Sequence, residues 1–340
     1  MVAQQLKPRS IFLLKEAQFR RIYDPQAVAE IAHLTRNDGV VYSREDLLAA
    51  DADFRDVEII FSGWGAPKMT EEVLAALPAL KAFFYGAGTV KGWVTDAFWA
   101  RDIVLSSSYQ MNAIPVAEFT VAAITFSLKR AWRFASQVQR GEDRIREERP
   151  TIPGGYFGSK VGIISLGAIG RHVCKMLAAY DLDVFAFDPF VAEAQFAEYQ
   201  VQPVPRLEDL FKSCDVVSLH APLLKETENM ITRDLLRALP QGATFINTSR
   251  GAIVDESALY DVLQEREDLY AVLDIIRDDI HYHAHPLARL PNVFLTPHIA
   301  GSAGRECFRM GHYAVAECKR YLNREPQKTV INRATAQLMA

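Results

Sequence analysis

The chain has little of what would tie it to an unusual environment. Only four of its 340 residues are cysteine: Cys174, Cys214, Cys307 and Cys318, widely spaced and without a C-x-x-C pair. This argues against a disulfide framework or a thiolate zinc site, and suits reduced, structural thiols. No apolar run approaches the ~20 residues of a membrane span, and residues 1–10 are polar where a signal peptide would have an apolar stretch. Basic blocks are missing as well. With a formal net charge of -4, the footprint of a nucleic-acid or anionic-membrane binder is not there. Repeats and low-complexity segments are also lacking. The expectation is a cytoplasmic protein with neither nucleic acid nor membrane as partner.

What is present is an ordinary globular composition, 49% apolar and 24% charged. The length suffices for two domains of roughly 100–200 residues each. Short β-rich runs at 11–14, 57–61, 82–85 and 103–107 alternate with amphipathic stretches at 25–33, 70–77 and 94–100. A long helical stretch follows at about 115–140, with Pro115 suited to its first position. Residues 141–158, charged and holding Pro150, Pro153, Gly154 and Gly155, read as the clearest loop. A second alternating set then begins. Its strands fall at 161–166, 184–187, 216–219, 244–247, 270–273 and 293–295, with helices at 168–179, 207–214, 233–239 and 256–265 and a last one at 303–322. Strands apolar throughout and alternating with helices imply parallel sheets covered on both faces. The fold class is therefore α/β, with two Rossmann-like, doubly wound domains.

Residues 161–170 read VGIISLGAIG. A dinucleotide fingerprint asks for G-x-G-x-x-G between a strand and a helix. Ser165 stands at the first glycine position, and Gly167 and Gly170 fill the others. Gly167 allows the backbone to approach a pyrophosphate, Gly170 allows close helix–strand packing, and the helix start, with Ala168 and Ile169, offers amides to phosphate. Asp188, at the end of the next apolar run, is placed to accept from ribose hydroxyls. No arginine follows it to bind a 2′-phosphate, which favours NAD. His220-Ala221-Pro222, after a further strand, are candidate cofactor-lining residues.

Three later segments each follow an apolar strand: Thr248-Ser249-Arg250-Gly251, Asp274 to Asp279, and Thr296-Pro297-His298-Ile299-Ala300-Gly301. In an open parallel sheet the carboxyl ends of the strands line the ligand crevice. Arginine can grip a carboxylate in a bidentate fork and polarise the adjacent carbonyl. Histidine can give or take a proton near neutral pH, and a carboxylate beside it, for which Asp279 is the candidate, fixes its tautomer. These are the demands of reducing a 2-oxo acid.

The segment NTSRGAIVDE at 247–256 and LTPHIAG at 295–301 resemble the arginine and histidine motifs of the D-2-hydroxyacid dehydrogenase family, and the resemblance covers nearly the whole chain. It implies Arg250 as substrate-carboxylate anchor and His298 as acid/base. It places Thr248, Ser249, Asp274, His298 and Gly301 with the cofactor-binding residues, Asp274 near the nicotinamide. It makes Ala87 and Gly88, in YGAG at 85–88, the loop whose amides also hold the carboxylate. It further implies a discontinuous outer substrate domain, 1–115 with 305–340, an NAD-binding domain, 116–304, and an active site in a cleft that closes between them. The 115–140 helix and the loop after it resemble a dimerisation arm, so a homodimer is expected. The chain departs from the family at Ser165, at Asp279 where a glutamate is usual, and at Thr89-Val90-Lys91 where an acidic residue is more common. Asp278 is a fallback partner for His298.

Trp64 and Tyr85 are candidates for the wall of a substrate pocket. Trp93, Trp99 and Cys174 read as packing. His281, His283 and His285 alternate but read as a polar surface loop, and no metal is expected. Three other readings stay open: an NAD-responsive binding protein or corepressor on the same fold, a related dehydrogenase acting on a formate-like or phosphite-like anion, and a largely degenerate enzyme, on account of Ser165 and Asp279 together.

Overall fold

The computed structural model describes residues 7–142 and 154–339. Most of the expected loop at 141–158, and with it most of the expected dimerisation arm beyond the helix, lies outside the described residues. The described chain up to Asn112, together with Ser302–Met339, forms one compact unit, and Ala113–Gly301 form a second.

The first unit holds a five-stranded sheet: β1 (Arg9–Leu13), β2 (Val41–Tyr42), β3 (Val57–Ser62), β4 (Ala82–Tyr85) and β5 (Val104–Ser107), in the order β2-β1-β3-β4-β5. Every ladder is parallel. Alternate residues of a strand face opposite sides, and both sides are buried: Ile11, Leu13 and Ile60 enter one apolar cluster, Phe12, Ile59 and Phe61 the other.

The second unit holds β6 (Ser159–Ile164), β7 (Leu182–Phe187), β8 (Gln202–Pro203), β9 (Val216–Leu219), β10 (Thr244–Asn247), β11 (Tyr270–Leu273) and β12 (Val293–Leu295). Their order is β12-β11-β10-β9-β6-β7-β8, again wholly parallel. Val217, Phe245 and Ala271 pack on one face and Val216, Ile246 and Val272 on the other, so helices cover both. The chain direction across the sheet reverses between β6 and β9. The loops leaving β6, β9, β10, β11 and β12 at their carboxyl ends begin with Ser165, His220, Thr248, Asp274 and Thr296.

Helices Glu16–Ile22, Arg44–Leu47, Glu193–Glu198 and Arg333–Gln337 were not expected, and one expected helix is broken. The stretch expected as one helix from Pro115 is two, Tyr109–Leu128 and Ala131–Gln139, with Arg130 between them at φ 54°. Pro115 lies inside the first rather than at its start. That helix has the length and hydropathy of a membrane span, although no such run was expected. Its apolar residues Ala117, Ile124 and Leu128 are buried in the core of the second unit, which accounts for its composition.

Candidate active site

The turn after β6 is shaped by two residues with opposite demands. Ser165 adopts φ 76°, the left-handed region where glycine is at ease and other residues are strained; its N–H donates to the Phe187 carbonyl at 2.8 Å. Gly170 has no room for a side chain, since a Cβ there would lie 2.1 Å from the Ser165 carbonyl oxygen. At Gly167 the same Cβ would meet only Ser165 Oγ, at 3.8 Å. Gly167 begins the helix Ala168–Leu177 with no side-chain cap, leaving first-turn amides without intrahelical partners. Ala168 and Ile169 are half-buried in that first turn.

Asp188 follows β7 and leans onto this turn. Its Oδ2 accepts from Leu166 N–H at 2.8 Å and Ser165 Oγ at 3.3 Å, and its Oδ1 from Phe190 N–H at 2.9 Å. Across the sheet, His220 donates its backbone N–H to the Ile164 carbonyl at 2.9 Å. Its Nε2 sits 3.0 Å from Ser218 Oγ, while its buried Nδ1 has no hydrogen-bond partner among the described residues. Burial pushes this imidazole down to about 3. Ala221 is buried, and the Pro222 carbonyl accepts from the Thr227 hydroxyl at 2.7 Å. An uncapped helix start, an open glycine and an orphaned imidazole nitrogen are what a dinucleotide would need to find here.

Beyond β10 the chain is tied down before it reaches the arginine. Ser249 Oγ donates to the Leu219 carbonyl at 2.7 Å, Ser249 N–H to Asn247 Oδ1 at 2.9 Å, and Thr248 Oγ1 lies 3.2 Å from Thr120 Oγ1. Arg250 turns back so that Nη1 donates to the Ser249 carbonyl at 2.6 Å. Burial lowers its proton affinity and the charge of Asp279 opposes this; a guanidinium stays protonated regardless. Gly251 then passes so close to the next loop that a Cβ would lie 2.1 Å from the Ile276 carbonyl carbon and 2.2 Å from Arg277 N. Glycine at 251 is what lets the arginine and aspartate loops touch.

Asp274 is buried, and its carboxylate anchors the histidine segment. Oδ1 accepts from Thr296 Oγ1 at 2.7 Å and Ile299 N–H at 2.8 Å, and Oδ2 accepts from Ala300 N–H at 2.9 Å. Through these bonds Asp274 fixes the segment that carries His298. The Asp274 carbonyl accepts from His298 N–H at 2.8 Å. Held this way, His298 takes φ 53°, like Ser165 a non-glycine residue in the left-handed region, and such strain is kept where surroundings impose it. Its Nδ1 lies 2.8 Å from Asp279 Oδ2. Asp278 pairs instead with His281, at 2.7 Å. Gly301, the last residue of the histidine motif, closes the second unit.

Tyr282, which no motif singled out, donates its hydroxyl to Asp279 Oδ1. The only hint in the sequence is an aromatic residue between His281 and His283 in an otherwise polar stretch. The three alternating histidines do not converge: His285 lies against Glu256 at 3.4 Å, and no group of metal-capable side chains occurs among the described residues.

In the first unit, Ser107 Oγ donates to the Ala87 carbonyl at 3.0 Å or that of Gly88 at 2.6 Å, fixing the loop after β4. Tyr85, expected on a pocket wall, is a core residue instead, buried with its ring 5.1 Å from that of Trp93. The strand's alternation turns its side chain into the apolar layer. Trp64 is half-buried with the Arg21 guanidinium 5.2 Å from its ring centre. Cys174 is buried, its thiol pushed up to about 12 by that burial, and is chemically quiet.

Residues 121–300 match the family profile described as D-isomer specific 2-hydroxyacid dehydrogenase, NAD binding domain. Among curated relatives, the D-3-phosphoglycerate dehydrogenase of Methanocaldococcus jannaschii is 28% identical over 291 residues, covering 85% of this chain and 54% of that protein. The glyoxylate reductase of Thermofilum pendens is 30% identical over 302 residues, 86% of this chain and 85% of that one. The chain thus spans about half the length of the phosphoglycerate dehydrogenases it matches. Of solved structures, a phosphoglycerate oxidoreductase from Rhizobium etli superposes with a TM-score of 0.82 at 20% identity, covering 97% of this chain and 99% of that one.

Proposed function

Since the chain belongs to the D-isomer specific 2-hydroxyacid dehydrogenase family, we propose that it interconverts a 2-oxo acid and a D-2-hydroxy acid with NAD(H). The observation that carries this reading is the contact between His298 Nδ1 and Asp279 Oδ2, 2.8 Å, with Asp279 also acting on the Arg250 guanidinium. An acid/base, its orienting carboxylate and a carboxylate receptor then belong to one edge of one sheet.

Gly167, Ala168, Ile169 and Gly170 would hold the pyrophosphate of the cofactor, Asp188 its adenosine ribose, and His220 with its neighbours would line the nucleotide. A dinucleotide held there would supply or accept the hydride. Arg250 grips the substrate carboxylate and steadies negative charge growing on the carbonyl oxygen. His298 delivers the proton on Nε2 to that oxygen, and its Nδ1–H stays on Asp279, so the neutral ring left behind has a defined tautomer. In the oxidative direction the neutral ring takes the hydroxyl proton back. The carboxylate of Asp188 at the ribose position favours NAD over NADP. Four buried free thiols suit a reducing, cytoplasmic setting. A homodimer would use the helices Tyr109–Leu128 and Ala131–Gln139, where Phe126 and Val138 are exposed apolar side chains.

The test is a spectrophotometric screen of 2-oxo acids with NADH and with NADPH, followed by two variants. Arg250→Ala should raise KM by about 10–100-fold, the weight of a hydrogen-bonded charge pair. His298→Ala should lower kcat by about 10²–10⁴-fold with cofactor affinity kept. Parent kinetics in both variants would refute the assignment. Tight cofactor binding without turnover on any acid would favour the nucleotide-responsive binding protein.

A further inference from the structure

The carboxylates of Asp274 and Asp279 are held in opposite ways. Asp274 is buried, with two backbone amides and a threonine hydroxyl on its oxygens. Asp279 lies in an irregular stretch after β11, its side chain 42% exposed, beside the outward-facing Ile280. Among the described residues its carboxylate receives no backbone N–H. Its partners are two side chains, His298 Nδ1 on Oδ2 and the Tyr282 hydroxyl on Oδ1. A short carboxylate on an exposed loop, held only by the imidazole it is meant to orient, would orient nothing. The second contact therefore decides whether the pair is organised.

We propose that Tyr282 is a positioning residue, whose hydroxyl pins Asp279 so that the carboxylate fixes the Nδ1–H tautomer and ring orientation of His298. The geometry has a hub. The Asp274 carbonyl accepts His298 N–H at 2.8 Å, and the same carbonyl lies 3.5 Å from the Tyr282 hydroxyl. Tyr282 thus stands over both ends of the pair it serves. Its ring is half-buried at the start of the 3-10 turn Tyr282–Ala284, which gives the hydroxyl a fixed origin. Burial, then the hydrogen bond to Asp279, raises the proton affinity of the phenol, with the Asp274 charge adding to this. The hydroxyl is therefore a neutral donor throughout the range in which an imidazole titrates. The other charged groups facing this cluster are Arg250, acting on Asp279 from the β10 loop, and the separate Asp278–His281 pair.

This rests on His298 being the acid/base, so the experiment has a readout that needs no turnover. The ring ¹⁵N shifts of His298, assigned by difference against His298→Gln in the full chain, report the neutral tautomer. The parent should show Nδ1–H. Tyr282→Phe, which removes one oxygen, should show a mixture with Nε2–H. With whichever 2-oxo acid the parent reduces, Tyr282→Phe should lower kcat about tenfold, a fraction of the ~10²–10⁴ of a whole acid/base, and leave KM within about twofold. Asp279→Glu placed in the Tyr282→Phe background, giving the carboxylate one more methylene of reach, should restore both Nδ1–H and kcat. An unchanged tautomer in Tyr282→Phe overturns the proposal whatever the kinetics, as does a double variant no better than Tyr282→Phe. If the parent reduces no 2-oxo acid, the functional reading fails while the tautomer still decides the role of Tyr282.

Discussion

Gly251 shows how much a single missing side chain can govern. A methyl group there would fall 2.1 Å from the Ile276 carbonyl carbon and 2.2 Å from Arg277 N, and backbone cannot step aside as a flexible side chain can. Gly251→Ala should therefore cost about 1–3 kcal/mol or more of stability, as overpacking does, read from urea unfolding. It should also lower kcat/KM by parting Arg250 from Asp279; parent-like values for both would show that the loops are not in contact. At this scale the sequence was legible where chemistry and spacing coincide, in pairing Asp279 with His298. It was silent on the left-handed backbone of Ser165 and His298, because those dihedrals are imposed by bonds from other strands. For Tyr282 it offered only an aromatic residue in a polar stretch, and nothing local marks a phenol as the partner of a carboxylate three residues earlier.

Among the elements, the helix Pro25–Leu34 is the clearest case of a terminus written in sequence and then borrowed by tertiary structure. Asp24 caps it, accepting from Ala27 N–H at 2.8 Å, with Pro25 at the first helical position. The same carboxylate lies 3.0 Å from His312 Nε2 on the helix Glu306–Leu322. Partial burial works against the ionised form, but the Ala27 amide and His312 outweigh it, and the carboxyl ionises below its usual range. Because the folded value is depressed, its stabilisation is full above the ordinary aspartate range and is lost as the pH falls through the folded value. Asp24→Ala should cost about 1 kcal/mol, the worth of an N-cap, at neutral pH, and the gap from the parent should close in acid; a constant gap in urea melts across that range would contradict the linkage. Strands and helices with a clean apolar period were legible. The edge strands β2 and β8 were not, because each has two residues, too few for any period. Nor was the break at Arg130, where a polar residue suitable for a helix takes a left-handed turn.

For the molecule as a whole, the interior sets its tolerance of acid. His220 is buried and its proton affinity is pushed down to about 3 by that burial, so the folded chain stays unprotonated there when the unfolded chain does not. Stability from this group is complete above the ordinary imidazole value of 6.5 and is lost as the pH falls from there toward 3. One such proton changes the unfolding free energy by at most about 1.4 kcal/mol per pH unit. Urea midpoints should therefore drop between about pH 7 and pH 5, and less so in His220→Asn; an equal drop in the variant would remove His220 as the cause.

The sequence by itself determined the two parallel sheets, the fingerprint turn and the family to which the chain belongs, because strand period, turn glycines and contiguous motifs are local and survive without contacts. Only the tertiary structure decided that Asp279 rather than Asp278 reaches His298, that Asp274 anchors the histidine segment, that Tyr85 is core and that Tyr282 joins the site. Each of these depends on which loops the sheet order sets side by side, and a hydrogen bond between separate strand ends leaves no trace in the spacing of either.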